Sequence, residues 1–275
     1  MMNRNFIALF YLMFFLIACT SKKTSSNQSH QDSPSKKITN LAFAKILEDA
    51  NVEGAILIYD WKARTFYSND FKRSETGFIP ASTFKIPNSL IALETGVIAN
   101  DSTLIEWDGQ ERSISNWNQD LIFKEAFHYS CVPCYQAIAR EVGTEKMKSW
   151  LAKFDYGEMV FDTSNVDLFW LEGDSKISQL EQIKFLMKFY HSQLPISKRT
   201  ESIAKRMMRV EKNETYSLLA KTGRSVSNVN WYVGYLEKGN NVYFFATNMS
   251  GKGSYNSDAR KGTTMTAFKE LGIVK

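Results

Sequence analysis

The chain has 275 residues, 44% of them hydrophobic, and a formal net charge of +5. That is enough apolar material for a sizeable core, in one large domain or two intimate lobes, and it excludes a disordered or fibrous protein. Lysine and arginine are spread along the chain with no block of like charges, which describes a solvated surface and argues against a nucleic-acid-binding face.

The N-terminus opens with a single early charge, Arg4, and then runs apolar from Phe6 to Ala18. A bilayer span needs about 20 such residues, so this stretch fits the hydrophobic region of a secretory signal better than a membrane helix. It ends in Leu16–Cys19, LIAC, which resembles a bacterial lipobox and implies that Cys19 becomes the lipidated first residue of the mature chain. A plain cleaved signal and an uncleaved anchor are the alternatives. From Thr20 to Lys37 no large apolar residue occurs, and such a tract cannot offset the entropy of ordering. The expected plan is a signal over 1–18, a lipidated cysteine and flexible tether over 19–40, and a folded body over 41–275.

The body begins with apolar residues at helical spacing, Leu41, Ala44, Ile46 and Leu47, followed by two strand patterns, Gly54–Asp60 and Arg64–Asp70. From Ser82 to about Thr200 strand signals are sparse. Residues 87–98, 130–143, 145–154 and 178–194 read as helices separated by Gly- and Asp-rich loops. The pattern then changes to aromatic, β-rich runs over 216–224, 230–239 and 241–249, the last two joined as a hairpin around Gly239-Asn240. A helix over about 259–271 closes the chain. Strands at both ends of a helical middle predict an α+β fold (mixed α/β). An antiparallel sheet is packed by the terminal helices, an all-helical lobe is inserted, and a groove between them is the natural place for a site. No repeat of 20–50 residues suggests a solenoid or propeller.

Three short patterns concern chemistry. In Ser82-Thr83-Phe84-Lys85 a hydroxyl and an amine stand at i and i+3, on one face of a helix starting near Ser82; Pro87 suits such a start. A lysine normally has a pKa of about 10.4, but apolar neighbours such as Phe84 and Ile86 penalise the charged form and can turn the amine into a base. The pattern is also common as a helix cap with a solvent-facing lysine. Lys221-Thr222-Gly223 at a strand end offers a cation, a hydroxyl and exposed backbone to an anionic ligand, or else is an ordinary strand and turn. Ser130-Cys131-Val132 heads a helix, where Ser130 is either a proton relay or an N-cap.

The other cysteines of the body, Cys131 and Cys134, form a C-x-x-C that suits a redox pair or half a metal site. No second Cys pair exists and none of the three histidines sits in a ligand pattern, which argues against a metal. The simpler expectation is two small buried side chains, bridged or free, without catalytic work.

S-x-x-K, then S-x-V about fifty residues on, then K-T-G about ninety further, resembles the penicillin-recognising serine enzymes, and among them the class D β-lactamases. The likeness runs from about Leu41 to the C-terminus, with PASTFKIPNSLIALE, WNQDL, SCVPCYQAIAREVG, FWLEG, KTG and WYVGYLEKG as its segments. It implies a β-lactamase/transpeptidase-like fold and hydrolysis of β-lactams through an acyl-enzyme on Ser82. Lys85 is then the family's carboxylated lysine, a carbamate made with carbon dioxide that serves as general base. Phe84, Val132 and the indole N–H of Trp170 form its surroundings, and Ser130 relays the proton. Lys221, Thr222, Gly223, Arg224 and Arg260 face the substrate, and backbone N–H groups of Ser82 and Arg224 form the oxyanion hole.

The resemblance implies no metal or other cofactor beyond carbon dioxide or bicarbonate, and no nucleic acid. It suits an exported, periplasmic bacterial lipoprotein, monomeric or homodimeric, held to a membrane only by its lipid. Groove width should depend on Trp107, Val132 and the segment after Lys221. One departure is Tyr156-Gly157-Glu158, where the family has Y-G-N. A β-lactam sensor that stays acylated and a cell-wall transpeptidase or carboxypeptidase share these motifs. The sensor normally follows several membrane spans, and the transpeptidase usually has a polar residue where Val132 stands.

Overall fold

A computed structural model describes residues 35–251 and 258–275. The signal, Cys19 and nearly all of the tether lie outside the described residues. Lys36–Thr39 form β1, so the folded body includes residues ahead of the expected boundary at residue 41, inside the stretch expected to be a flexible tether. This polar four-residue strand has little apolar signal of its own. It is held by parallel pairing with β3 (Thr65–Ser68).

Between them come α1 (Leu41–Asp49), capped by the Asn40 side chain, and β2 (Val52–Asp60). After β3 follow a short α2 (Phe71–Glu75), a 3₁₀ turn over Ala81–Phe84 and α3 (Lys85–Glu94). The helix-rich middle is not wholly helical, because β4 (Leu104–Ile105) and β5 (Leu121–Ile122) pair as a small antiparallel ladder. Next are α4 (Phe123–His128), α5 (Val132–Val142), α6 (Thr144–Phe154) and α7 (Gln179–Tyr190), the last with a Ser178/Glu181 capping box. Helix α8 (Lys198–Met208) leads into the strand β6 (Arg209–Lys212), which the sequence patterns did not distinguish. The chain ends with β7 (Ser217–Arg224), β8 (Val229–Lys238), β9 (Asn241–Gly251) and α9 (Ala259–Glu270).

The seven main strands make one sheet in the order β1-β3-β2-β9-β8-β7-β6, antiparallel except for β1 with β3. The expected hairpin is present, with Lys238 opposite Asn241. Both faces of the central strands are covered, which is why Ala55–Tyr59 reads as a continuous apolar run and not as an alternation. On one face Phe43 and Leu47 of α1 and Ala267 and Phe268 of α9 pack on Ile56, Ile58, Leu236 and Phe245. Each such large side chain contributes roughly 1.5–3 kcal/mol by leaving water. On the other face lie α7 and the helix-rich middle, with Phe84, Tyr156, Phe169, Trp170 and Phe185 in a second core. Helix α3 runs through that core and is buried from Lys85 to Leu93, lysine included. Among the described residues no helix is long and apolar enough to cross a membrane.

Candidate active site

The turn that carries Ser82 is constrained from three sides. Ala81 takes φ 49°, in the left-handed region that costs a non-glycine residue about 1 kcal/mol or more and persists only where surroundings enforce it. Helix α7 supplies one restraint: Gln182 Nε2 donates to Thr83 Oγ1 at 2.9 Å, and Thr83 Oγ1 donates to Pro80 O at 2.6 Å. Strand β8 supplies another, with Trp231 Nε1 donating to Ile79 O at 2.9 Å. Strand β7 closes the third side. A Cβ on Gly223 would lie 3.1 Å from Thr83 Cγ2 and 3.3 Å from Pro80 O, so glycine lets the K-T-G strand approach the turn.

Helix α3 starts at Lys85 and not at Ser82, but the 3₁₀ turn that precedes it keeps the i, i+3 relation. Lys85 Nζ donates to Ser82 Oγ at 3.0 Å. Ser82 retains 8% of its surface, whereas Lys85 has none. Burial lowers the Lys85 amine from its ordinary 10.5 to about 7. Beneath it Phe84 stacks on Trp170 with ring centres 5.1 Å apart. Trp170 Nε1 is buried and has no hydrogen-bond acceptor, an uncommon state for a donor that normally costs about 1–3 kcal/mol to leave unpaired. A lysine able to be neutral, apolar neighbours and an unused N–H donor together fit a carbamate on Lys85.

Ser130 follows α4 with φ 55°, also left-handed. It is not the N-cap of α5; that position belongs to Cys131. Instead Ser130 Oγ accepts from Lys221 Nζ at 3.1 Å. Lys221 also donates to Thr222 O at 3.1 Å, and its pKa is pushed well below 10.5, first by burial and then by the positive charges of Lys85, Arg260 and Lys261. Strand β6 pairs with β7 only from Ser217 to Leu219, which leaves the outer edge of the K-T-G segment uncovered by a neighbouring strand. From the first turn of α9, Arg260 Nη1 donates to Gly223 O at 3.3 Å.

Ser82, Ser130, Val132, Thr222, Gly223, Arg224 and Arg260 thus line one open cleft of about 610 Å³. Lys85 and Lys221 are buried and outside that lining, each bonded to one of its serines, Ser82 and Ser130, and Phe84 and Trp170 are packed in the core. The segment after Lys221 does line the cleft, through Val226 among others, and further apolar walls come from Ile114, Trp117 and Tyr129, which the sequence patterns did not single out. Trp117 lies in the WNQDL segment, but nothing local marks it as facing the cleft. The groove-shaping role expected of Trp107 is not supported: Trp107 lines a neighbouring cavity, with its Nε1 bonded to Gln110 O. Glu158, the departure from Y-G-N, is exposed and is absent from the cleft wall; its backbone pairs with Lys176 at 2.7 and 2.8 Å. Cys131 is fully buried, Cys134 is half-buried, and the two are joined in a disulfide. Among the described residues no group of three or more His, Cys, Asp or Glu side chains is placed to hold a metal ion.

The penicillin-binding protein transpeptidase domain family matches residues 14–270 of the chain. β-Lactamase OXA-48 of Klebsiella pneumoniae is 41% identical over 81% of this chain and 84% of its own length. β-Lactamase OXA-10 of Pseudomonas aeruginosa is 34% identical over 96% and 98%, respectively. The solved class D β-lactamase YbXI from Nostoc superposes with a TM-score of 0.83 at 40% identity, covering 86% of this chain and 100% of that one. A catalytic-type serine beside a buried lysine, a K-T-G edge and these relatives agree: the chain belongs to the class D β-lactamases, within the penicillin-binding transpeptidase fold.

Proposed function

We propose that the protein hydrolyses β-lactam antibiotics through an acyl-enzyme on Ser82. The observation that carries the reading is the buried Lys85 amine 3.0 Å from Ser82 Oγ, with the unpaired Trp170 indole N–H in the same core. A carbamate on Lys85, held by Trp170 Nε1 among Phe84 and Val132, supplies a carboxylate-like general base for both acylation and deacylation. Ser82 Oγ bonds to the β-lactam carbonyl carbon as its proton leaves toward Lys85, and the backbone N–H groups of Ser82 and Arg224 stabilise the oxyanion. The ring C–N bond then breaks, and Ser130, backed by Lys221, gives the leaving nitrogen a proton. Water cleaves the ester and restores the Ser82 hydroxyl. Thr222 and Arg260 hold the substrate carboxylate, for which the planar guanidinium fork is suited. No metal enters the scheme.

The reading extends to the N-terminus: residues 1–18 act as an export signal and Cys19 carries the lipid that holds the enzyme to a membrane in the periplasm. Mass spectrometry of the mature protein tests this, since an unmodified Cys19 or a retained signal sinks the anchor.

Turnover of a chromogenic cephalosporin, with and without bicarbonate, tests the chemistry. Continuous turnover that falls on bicarbonate depletion is expected. A single stoichiometric burst would overturn the hydrolase reading in favour of a sensor or transpeptidase that stays acylated.

A further inference from the structure

We propose that the Cys131–Cys134 disulfide positions Ser130 and Val132 in the cleft, so that breaking it impairs acylation while leaving the fold in place. The inference rests on the proposed roles of those two neighbours. Cys131 lies between them in sequence, and both line the cleft while Cys131 is wholly buried.

The start of α5 explains the need. Its N-cap position is held by Cys131, whose sulfur is a weak acceptor where Ser, Thr, Asp or Asn would serve. Cys131 Sγ accepts from Cys134 N at 3.2 Å, the N-cap to N3 contact of a capping box. Pro133, between them, has no N–H to contribute. The disulfide joins the same two positions covalently. It therefore reinforces a weak cap with a covalent bond, directly beside a serine held at φ 55°.

On the other side the hydrogen bonds are Ser130 N on Phe127 O at 3.2 Å, Cys131 N on Ala126 O at 2.9 Å, and Lys221 Nζ on Ser130 Oγ at 3.1 Å, and Cys131 itself packs in the core. The ring closed by the bond spans only residues 131–134, and disulfides across such short loops restrain the unfolded chain least. Its effect is therefore local. Cys134 lines a cavity of about 290 Å³ whose lining includes neither Ser82 nor Ser130, which gives a reductant an approach other than through the substrate cleft.

The test compares oxidised and reduced protein of the same sequence. A dithiol reductant gives two electrons and two protons, the S–S bond breaks, two thiols form, and the reductant becomes a cyclic disulfide. The titratable thiol count rises by two. Reduction is expected to lower kcat/KM by roughly tenfold, part of the 10²–10⁴ that a placed proton-transfer group supplies. Its pH profile should shift, because Ser130 no longer holds Lys221, while the far-UV spectrum stays unchanged. Reoxidation restores both, and Cys134→Ser matches the reduced enzyme and ignores the reductant.

Full activity with an unshifted pH profile in the reduced protein and in Cys134→Ser would overturn the inference. So would a loss that merely tracks unfolding. If the oxidised protein acylates without turning over, the hydrolase reading fails alone, and the same comparison is made on its acylation rate with a fluorescent penicillin. A protein that never acylates sinks both.

Discussion

Replacing Lys85 with methionine should abolish activity and stabilise the fold. The lysine is wholly buried, its amine is lowered from 10.5 to about 7, and among the described residues no carboxylate lies within ion-pair distance of it. In bicarbonate-free buffer at pH 7 the unfolded chain carries this proton and the folded chain only half does. At 1.36 kcal/mol per tenfold in proton affinity, the mismatch costs the wild type roughly 4 kcal/mol. Methionine has nearly the same length and no charge. It forfeits the bond to Ser82, worth about 1 kcal/mol, and some fit, also about 1 kcal/mol. A net gain of roughly 2 kcal/mol remains, or about 4–8 °C in Tm for a body of this size.

The pH dependence has a definite sign. A depressed lysine makes the unfolded state the better proton binder between about pH 7 and 10.5, so wild-type stability from this group rises with pH across that window and levels off above it. Thermal unfolding of both proteins, with wild type and variant compared at each pH, isolates this group from other titrations. The Tm gap should be widest at or below pH 7, close at about pH 9, where the remaining proton mismatch of about 2 kcal/mol equals the lost bond and fit, and reverse by pH 10.5, while cephalosporin turnover falls at least about 10²-fold. A variant less stable than wild type at pH 7, or a gap unchanged up to pH 10.5, would refute the burial argument.

Trp170→Phe keeps the ring stack with Phe84 but removes the unpaired N–H. Turnover should drop about 10-fold or more and need higher bicarbonate for half-activation, with Tm steady or raised; an unchanged bicarbonate titration would exclude this donor from the base. Gly223→Ala forces a methyl to within 3.1–3.3 Å of Thr83, Trp231 and Pro80. It should cost roughly 1–3 kcal/mol in urea unfolding and slow acylation of Ser82, measured by penicillin trapping. Gln182→Leu leaves the Thr83 hydroxyl without its donor at 2.9 Å. A loss of about 1 kcal/mol is expected, with acylation slowed more than deacylation; equal slowing of both steps would argue against a role in holding the Ser82 turn.

Local pattern sufficed for much of this protein. The alternation and aromatic content of residues 230–249 specified the β8–β9 hairpin, and the apolar spacing after Leu41 specified α1. Ser82 and Lys85 were legible as a pair because three residues of helical or 3₁₀ turn bring any such side chains together. The family likeness, not the spacing, pointed to Trp170 and Arg260.

Other features had no local signal. β1 exists only because β3 offers it an edge, and β6 reaches no further along β7 than Leu219 because α8 holds the chain up to Met208. Glycine in K-T-G reads as a turn residue until the Ser82 turn is found against it. Trp107 and Trp117 are alike in sequence, and only the path of the intervening loop puts one in the cleft and the other outside. Sequence spacing determines which neighbours share a face. Burial, an orphaned donor or a lysine held near neutrality depends on atoms contributed by distant segments, and those meet only when the tertiary fold closes.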